Sequence, residues 1–395
     1  MHSWLAFVIA LRVWAGAAIP MLQSTVNFNE VRVSQEFEHS VVFLAHIQSE
    51  IELDTIYLFI QPEGGSTDLQ TVNTSGNGEV AYEYNLQDSA IRPFSKVDYW
   101  YRVVLKSGLQ VDSQHYSFDY IDNRFDWQTL SDNTFIVHWY NRELAFGQYA
   151  LNTANTGIQS AQAYLPVDLN APLDVYIYNS ISDLQPALHD KESTWVAGHA
   201  APDLGIVMVS IPTGPEQNLE LERQLPHEIA HILQYQIIQG SFEQVPVWLL
   251  EGTATLSELY PNAEYQRILE NAVQNQSLES IQSLCTTFPQ DTAGVYLAYA
   301  ESSSFVRFLH QKYGNERLLE LLKSYQAGIG CPDAVQNIYG ASLDQLDYRW
   351  QQEYLGVDKE RLAAENLAPY LILFIIVLAP VIFTLLVQRT QPKHA

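Results

Sequence analysis

The segment His227-Glu228-Ile229-Ala230-His231 contains the residue types that hold and use a divalent metal ion. Residues four apart lie on one face of a helix, so the imidazoles of His227 and His231 can grip the same ion. The same spacing turns Glu228 toward a water molecule on that ion, where a carboxylate serves as a general base. The surrounding sequence has helical periodicity, and this context favours a metal site over a chance match.

A catalytic zinc site needs a third protein ligand, and Glu251 is the candidate. It lies in the stretch VPVWLLEG at 245–252. The spacing leaves room for a helix end, a reversing loop at 239–243 and a second helix that begins near Pro246 and returns beside the first. Three ligands rather than four favour a catalytic zinc ion over a structural one, which is the alternative interpretation.

Together, these motifs resemble the gluzincin metallopeptidases and, more narrowly, the bacterial peptidase MA-like family. The family pattern is HE-x-AH followed by P-x-WL-x-EG-x-A, and the likeness spans roughly 122–355. The resemblance implies that His227, His231 and Glu251 bind Zn²⁺ and that Glu228 is the catalytic base. It also implies hydrolysis of peptide bonds by a zinc-activated water molecule.

The resemblance extends to two further features of such sites. Gluzincins stabilise the oxyanion with a Tyr or His, for which Tyr299 is the candidate and Tyr296 the runner-up; a packing role is the alternative for either. An edge strand before the metal helix pairs with substrate in this group, and 205–210 is the predicted counterpart, with an ordinary core strand as the alternative. The Gly-x-Met-Glu-Asn segment of exopeptidases is missing from the sequence, so endo or exo cleavage stays open.

Two residues near the motifs each have two interpretations. Glu258 follows Glu251 on the same predicted helical face, and it is either a partner that orients a ligating His or a solvated glutamate. His199 either lines the cleft or lies in a surface loop.

The elements that must position these residues form a multidomain chain. Residues 21–120 read as short strands between turns, which predicts an N-terminal all-β sandwich. The stretch at 97–103 is similar to the penultimate strand of immunoglobulin and fibronectin type III-like domains. Residues 121–356 mix strands with helices, and helical periodicity dominates from 216 onward. They predict an α+β metallopeptidase domain of the gluzincin type.

The two ends of the chain predict export and anchoring. Residues 367–387 carry no charge and are long enough for a single C-terminal transmembrane helix. The tail at 388–395 contains Arg389 and Lys393 without an acid, so the positive-inside rule predicts that it is cytoplasmic. Residues 1–20 resemble a secretory signal peptide, with an uncleaved N-terminal anchor as the alternative. The predicted location is the cell membrane, single-pass, with the catalytic ectodomain outside the cytoplasm.

The composition excludes several classes of protein. The chain has 395 residues, of which 47% are hydrophobic, so a mainly disordered chain is excluded. A formal charge of −25 argues against binding to nucleic acid, which requires a basic face. The two cysteines, Cys285 and Cys331, form no CxxC pair, which excludes a thiolate zinc site. They are either a disulfide or two free thiols.

The sequence therefore predicts a membrane-anchored, extracytoplasmic zinc metallopeptidase that acts on peptide or protein substrates. The alternative is a non-catalytic cell-surface binding protein or adhesin on a metallopeptidase-like scaffold. A general base such as Glu228 has no use in a binding module, which speaks against the alternative. The sequence specifies no oligomeric state.

Overall fold

The computed structural model describes residues 26–75, 78–87, 89, 91–188, 197–240, 242–289, 291–357 and 367–380. The chain divides into two compact units, Met1–Arg124 and Phe125–Ala395. The predicted signal segment at 1–20 and the predicted tail at 388–395 lie outside the described residues.

The first unit is all-β, as predicted. Its described strands are β1 (Val26–Glu36), β2 (Ser40–Ser49), β3 (Leu53–Pro62), β4 (Asp68–Val72), β5 (Glu79–Asn85), β6 (Lys96–Leu105), β7 (Gln110–Asp112) and β8 (Tyr116–Asp119). They form two antiparallel sheets, in the orders β1-β2-β5 and β4-β3-β6-β7, and β8 also pairs with β6. Buried residues alternate along β2 and β6, because successive side chains of a strand point to opposite faces. Phe43 of β2 contacts Tyr99 of β6 with ring centroids 5.0 Å apart, so the two sheets pack face to face.

The second unit is built on a mixed sheet. Its described strands are β9 (Gln128–Ser131), β10 (Phe135–Trp139), β11 (Leu173–Tyr178), β12 (Gly198–Ala201) and β13 (Ile206–Ser210). The sheet order is β12-β13-β11-β10-β9, in which β10, β11 and β13 are parallel and the two outer strands are antiparallel to their neighbours. Every residue of β13 is buried, as expected for a strand inside a mixed sheet.

The prediction that 205–210 forms the edge strand of the sheet is wrong. This segment forms β13, which is second in the sheet, and β12 takes the outer place beside it. The reason is a tight turn between the two strands, in which Gly205 has a φ of 68°. The turn folds β12 back onto β13, so β12 pairs with the edge of β13 that was predicted to be exposed.

Helices make up most of the remainder of the second unit. They are α1 (Leu144–Gln162), α2 (Ile181–Leu184), α3 (Gln217–Ile238), α4 (Val247–Ser257), α5 (Ala263–Asn275), α6 (Thr292–Tyr313), α7 (Asn315–Ser324), α8 (Cys331–Tyr339) and α9 (Leu343–Arg349), which continues into a π-helical turn at Trp350–Tyr354. Phe305 of α6 contacts Trp248 of α4 and Trp350 of the π-helical turn, with centroids 5.2 and 5.7 Å apart. The second unit thus has the predicted α+β character, with a core shared by sheet and helices.

Cys285 and Cys331 form a disulfide, which decides between the two alternatives left by the sequence. The bond joins a short 3₁₀ helix, Ile281–Cys285, to the first residue of α8. A cross-link between residues 46 apart restricts the unfolded chain and contributes about 4 kcal/mol in the chain-entropy model.

The predicted transmembrane helix at 367–387 is corrected by the structure. Residues 367–380 are helical, and 381–387 lie outside the described residues. Within the described ranges, no helix combines the length and apolarity that crossing a membrane requires. This finding overturns the predicted span and, with it, the predicted single-pass membrane location.

Candidate metal centre

The helix α3 carries both histidines of the motif on one face. His227 and His231 are one helical turn apart, and their ring centroids are separated by 5.0 Å. The helix is held in place by fully buried residues on its other side, among them Leu225, Ile229 and Ile232. Packing of this apolar face fixes the direction in which the two imidazoles point.

Glu251 of α4 lies opposite the two histidines. Its Oε2 atom is 3.1 Å from Nε2 of His227 and 3.7 Å from Nε2 of His231. One ligand atom from each of the three residues lies within 4.8 Å of the other two. The chain reverses after α3, which brings α4 back beside it. Gln234 Nε2 of α3 donates a 2.8 Å hydrogen bond to the carbonyl of Leu250 in α4. The structure therefore brings the three predicted ligands together.

The outer nitrogen of each imidazole has its own acceptor. Nδ1 of His227 lies 3.2 Å from Oε1 of Glu258, and Nδ1 of His231 lies 2.8 Å from Oε1 of Gln234. A proton held on each Nδ1 leaves both Nε2 atoms available to a metal ion, which is the tautomer that a metal ion requires. Two imidazoles and one carboxylate are a donor set that suits zinc, so the residues present fit the ion.

Only one of these two hydrogen-bond acceptors was predicted from the sequence. Of the two interpretations of Glu258, the structure favours the one in which it orients a histidine, because its side chain is only 8% exposed and contacts His227. The second acceptor, Gln234, was not predicted, although its position one turn after His231, on the same face of α3 as both histidines, is a usable signal. A fully buried glutamine needs partners for both of its polar atoms, and here they are an imidazole and a backbone carbonyl.

Pro226 lies inside α3, and it helps to hold Glu258 in place. Proline has no N–H, so the carbonyl of Glu222 loses its partner within the helix. The N–H of Leu259 donates a 3.1 Å hydrogen bond to that carbonyl. The bond ties the end of α4 to α3 one residue after Glu258. The proline ring packs closely on α1, where a Cβ on Gly157 would lie 2.8 Å from Pro226 Cγ.

Glu228 lies between the three predicted ligands and the outer strand β12. It is 8% exposed, and a Cβ atom on Gly198 would lie 2.4 Å from its Oε1 atom. Burial raises the pKa of Glu228, while the neighbouring His231 and His227 oppose that rise. A cavity of about 270 Å³ on this side is lined by Glu228, Glu251 and Tyr299, and also by His199 of β12.

Tyr299 approaches the site from α6. Its ring stacks on Tyr265 at a centroid distance of 6.0 Å and packs edge-on against Phe288. Burial, together with the negative charge of nearby Glu251, raises the pKa of its hydroxyl. Tyr296 lines the adjoining cleft but is 45% exposed. The structure thus brings Tyr299, the first of the two tyrosine candidates, to the ligand cluster.

Charge is balanced between the ligand residues. Burial by itself would raise the pKa of Glu251, but His231 and His227 outweigh it and hold that pKa well below its usual range. Burial lowers the pKa of His227, and the hydrogen bonds that the imidazole donates to Glu251 and Glu258 more than reverse this effect. The cluster is therefore a buried set of mutually stabilised charges.

Comparison with known proteins gives a family match for the second unit. Residues 153–356, just over half of the chain, match the family model described as Peptidase MA superfamily. No curated protein matches the chain.

Similar solved structures share little sequence with this chain. An M1 zinc metallopeptidase from Deinococcus radiodurans has 11% identity and a TM-score of 0.34, over 83% of this chain and 94% of that one. The Br derivative of BhCBM56 has 12% identity and a TM-score of 0.18, over 22% and 88%. OgpA from Akkermansia muciniphila has 11% identity and a TM-score of 0.20, over 24% and 28%, so this chain spans about a quarter of that protein.

Proposed function

The chain belongs to the Peptidase MA superfamily, and from this premise we propose that it is a zinc-dependent metallopeptidase of the gluzincin type. His227, His231 and Glu251 hold the zinc ion, Glu228 is the general base, and Tyr299 stabilises the oxyanion. One observation carries the proposal. Three possible ligand atoms lie within 4.8 Å of one another, and they border the same cavity as a buried glutamate and a tyrosine.

Bound zinc would lower the pKa of a water molecule in this cleft and polarise the carbonyl of the scissile peptide bond. Glu228 accepts a proton at its carboxylate and later delivers it to the nitrogen of the departing amine. Its position against the backbone of β12 limits its movement between these two steps.

Tyr299 contributes a hydrogen bond to the developing charge. Its raised pKa keeps the hydroxyl protonated at neutral pH, so it can donate to the carbonyl oxygen as that oxygen becomes negative. Among the described strands, β12 is the outermost of its sheet and lies beside Glu228, so an extended substrate can align along it.

The test is metal content together with cleavage of a mixed peptide library. The purified protein should contain one zinc per chain and cleave peptides; a chelator should abolish cleavage and added Zn²⁺ should restore it. His231→Ala should lose both properties, while His39→Ala, a change at an exposed histidine of the first unit, should lose neither. Cleavage that survives chelation or His231→Ala would overturn the proposal. Zinc binding without any cleavage would instead support the non-catalytic binding protein.

A further inference from the structure

A second cavity continues the cleft beside the proposed catalytic centre. It has a volume of about 610 Å³ and lies between α5, α6 and the π-helical turn. Three residues, Glu258, Asn262 and Tyr265, line both this cavity and the cleft that contains His227 and Glu228. The two spaces therefore adjoin along a shared wall.

One face of α6 runs along both spaces. Val295 and Tyr299 line the catalytic cleft, and Ser303 and Arg307 line the second cavity. These four residues are spaced four apart and so lie on one side of the helix. From Tyr299 to Arg307 the helix rises about 12 Å at 1.5 Å per residue, which an extended peptide spans in three to four residues at about 3.3 Å each.

In the described part of the chain, Arg307 is the charged group of this cavity that has no partner. Among the described residues, its guanidinium makes no hydrogen bond or ion pair, although the side chain is half-buried. The two acids in the cavity wall are engaged elsewhere: Glu258 contacts His227, and Glu270 accepts a hydrogen bond from Gln266. A guanidinium presents several donors in a fixed plane that matches a carboxylate.

The hydroxyl of Ser304 can add a hydrogen bond to a carboxylate that is held by Arg307. Ser304 Oγ accepts a 3.0 Å hydrogen bond from Trp350 Nε1, which leaves the hydroxyl proton free to donate into the cavity. Leu269 and Val273 supply an apolar wall against which the carbon chain of an acidic side chain can pack.

We infer that this cavity is a substrate subsite for a carboxylate, with Arg307 as its specificity-determining residue, three to four residues from the scissile bond. The inference rests on the proposed peptidase function. The carboxylate is either an Asp or Glu side chain or the free C-terminus of a short peptide.

The test uses the zinc-loaded full chain and peptide pairs that differ only in Glu or Gln, three or four residues to either side of one cleavage site. The wild-type kcat/KM should be about tenfold higher for the Glu peptide, as expected for a charge-assisted hydrogen bond. Arg307→Ala should reduce the ratio to about one, and Arg307→Glu should invert it. Arg317→Ala removes an arginine of α7 that pairs with Glu320, and it should keep the wild-type ratio. Peptides with a free or amidated C-terminus separate the two sources of the carboxylate.

Binding separates failure of this inference from failure of the proposed function. The dissociation constants of the same peptides are measured by calorimetry on Glu228→Gln, which needs no turnover. An Arg307-dependent preference in binding supports the subsite even when no peptide is cleaved. A Glu-to-Gln ratio that Arg307→Ala leaves unchanged, in a variant with wild-type melting temperature, overturns the inference.

Discussion

Replacement of Gly198 by alanine should disable the proposed general base without disturbing the fold. The new Cβ would lie 2.4 Å from Glu228 Oε1 and 3.0 Å from its carboxyl carbon, whereas ordinary contacts begin at 3.4 Å. The backbone φ at Gly198 lies outside the left-handed region, so alanine is compatible with the strand itself. The strain therefore falls on the Glu228 side chain.

The size of the effect follows from that overlap. Relief of the contact requires a shift of about 1 Å, and a displacement of this size at a reacting group costs about a hundredfold in rate. Glu228 lines the adjacent cavity, so its carboxylate can take up this shift. We expect kcat for a cleaved peptide to fall by about a hundredfold, while the zinc content stays at the wild-type value.

The assay is steady-state hydrolysis combined with metal analysis and a thermal melt. Gly214→Ala is the matched control, since a Cβ at Gly214 meets no atom within 4 Å, and this variant should keep the wild-type kcat. Wild-type kcat in Gly198→Ala would refute the placement of Glu228 against β12. A reduced kcat accompanied by a lower melting temperature of several degrees would also count against a purely local effect.

Three further variants test other parts of the account. Tyr299→Phe removes the proposed oxyanion donor and should lower kcat by about a hundredfold or more with zinc retained; an unchanged kcat would assign Tyr299 to packing alone. Glu258→Ala removes the acceptor for His227 Nδ1 and should weaken zinc binding by about tenfold to a hundredfold in chelator competition; equal affinity would contradict the role of Glu258. Burial raises the pKa of Glu301 to about 8 from an ordinary 4.5, so the native chain keeps a proton that the unfolded chain has released. The contribution of Glu301 to the free energy of unfolding is fully present below pH 4.5 and is lost as the pH rises through 8. At pH 7 about 3 kcal/mol of it has been lost. Glu301→Gln should flatten this fall in urea unfolding between pH 5 and 8, and a slope equal to wild type would show that another group causes it.

The helical parts of the site followed from local pattern. The apolar periodicity around His227 and the start signal at Pro246 predict α3 and α4, and the spacing of His231 and Glu251 predicts their antiparallel return. These features depend on residues close in sequence, and the structure contains them.

Other features depend on contacts that no local pattern encodes. Gly198 lies in β12, and only the fold brings its backbone against Glu228. The outer place of β12 in the sheet depends on the turn at Gly205, which the strand pattern of 205–210 does not reveal. The hydrogen bond from Leu259 to the carbonyl freed by Pro226 likewise joins two helices that the sequence separates.

The terminal apolar run shows a different limit. The span at 367–387 was predicted from hydropathy alone, which measures only how apolar a stretch of sequence is. A span also requires a helix that is both long and apolar enough, and the described part of the chain contains none.

Activity and metal content of Glu228→Gln test the central claim most directly. The amide keeps the shape of the side chain but cannot accept a proton, so the variant should bind one zinc per chain and lose about a hundredfold to ten-thousandfold in kcat. Peptide hydrolysis at the wild-type rate, in a variant that still binds zinc, would contradict the account.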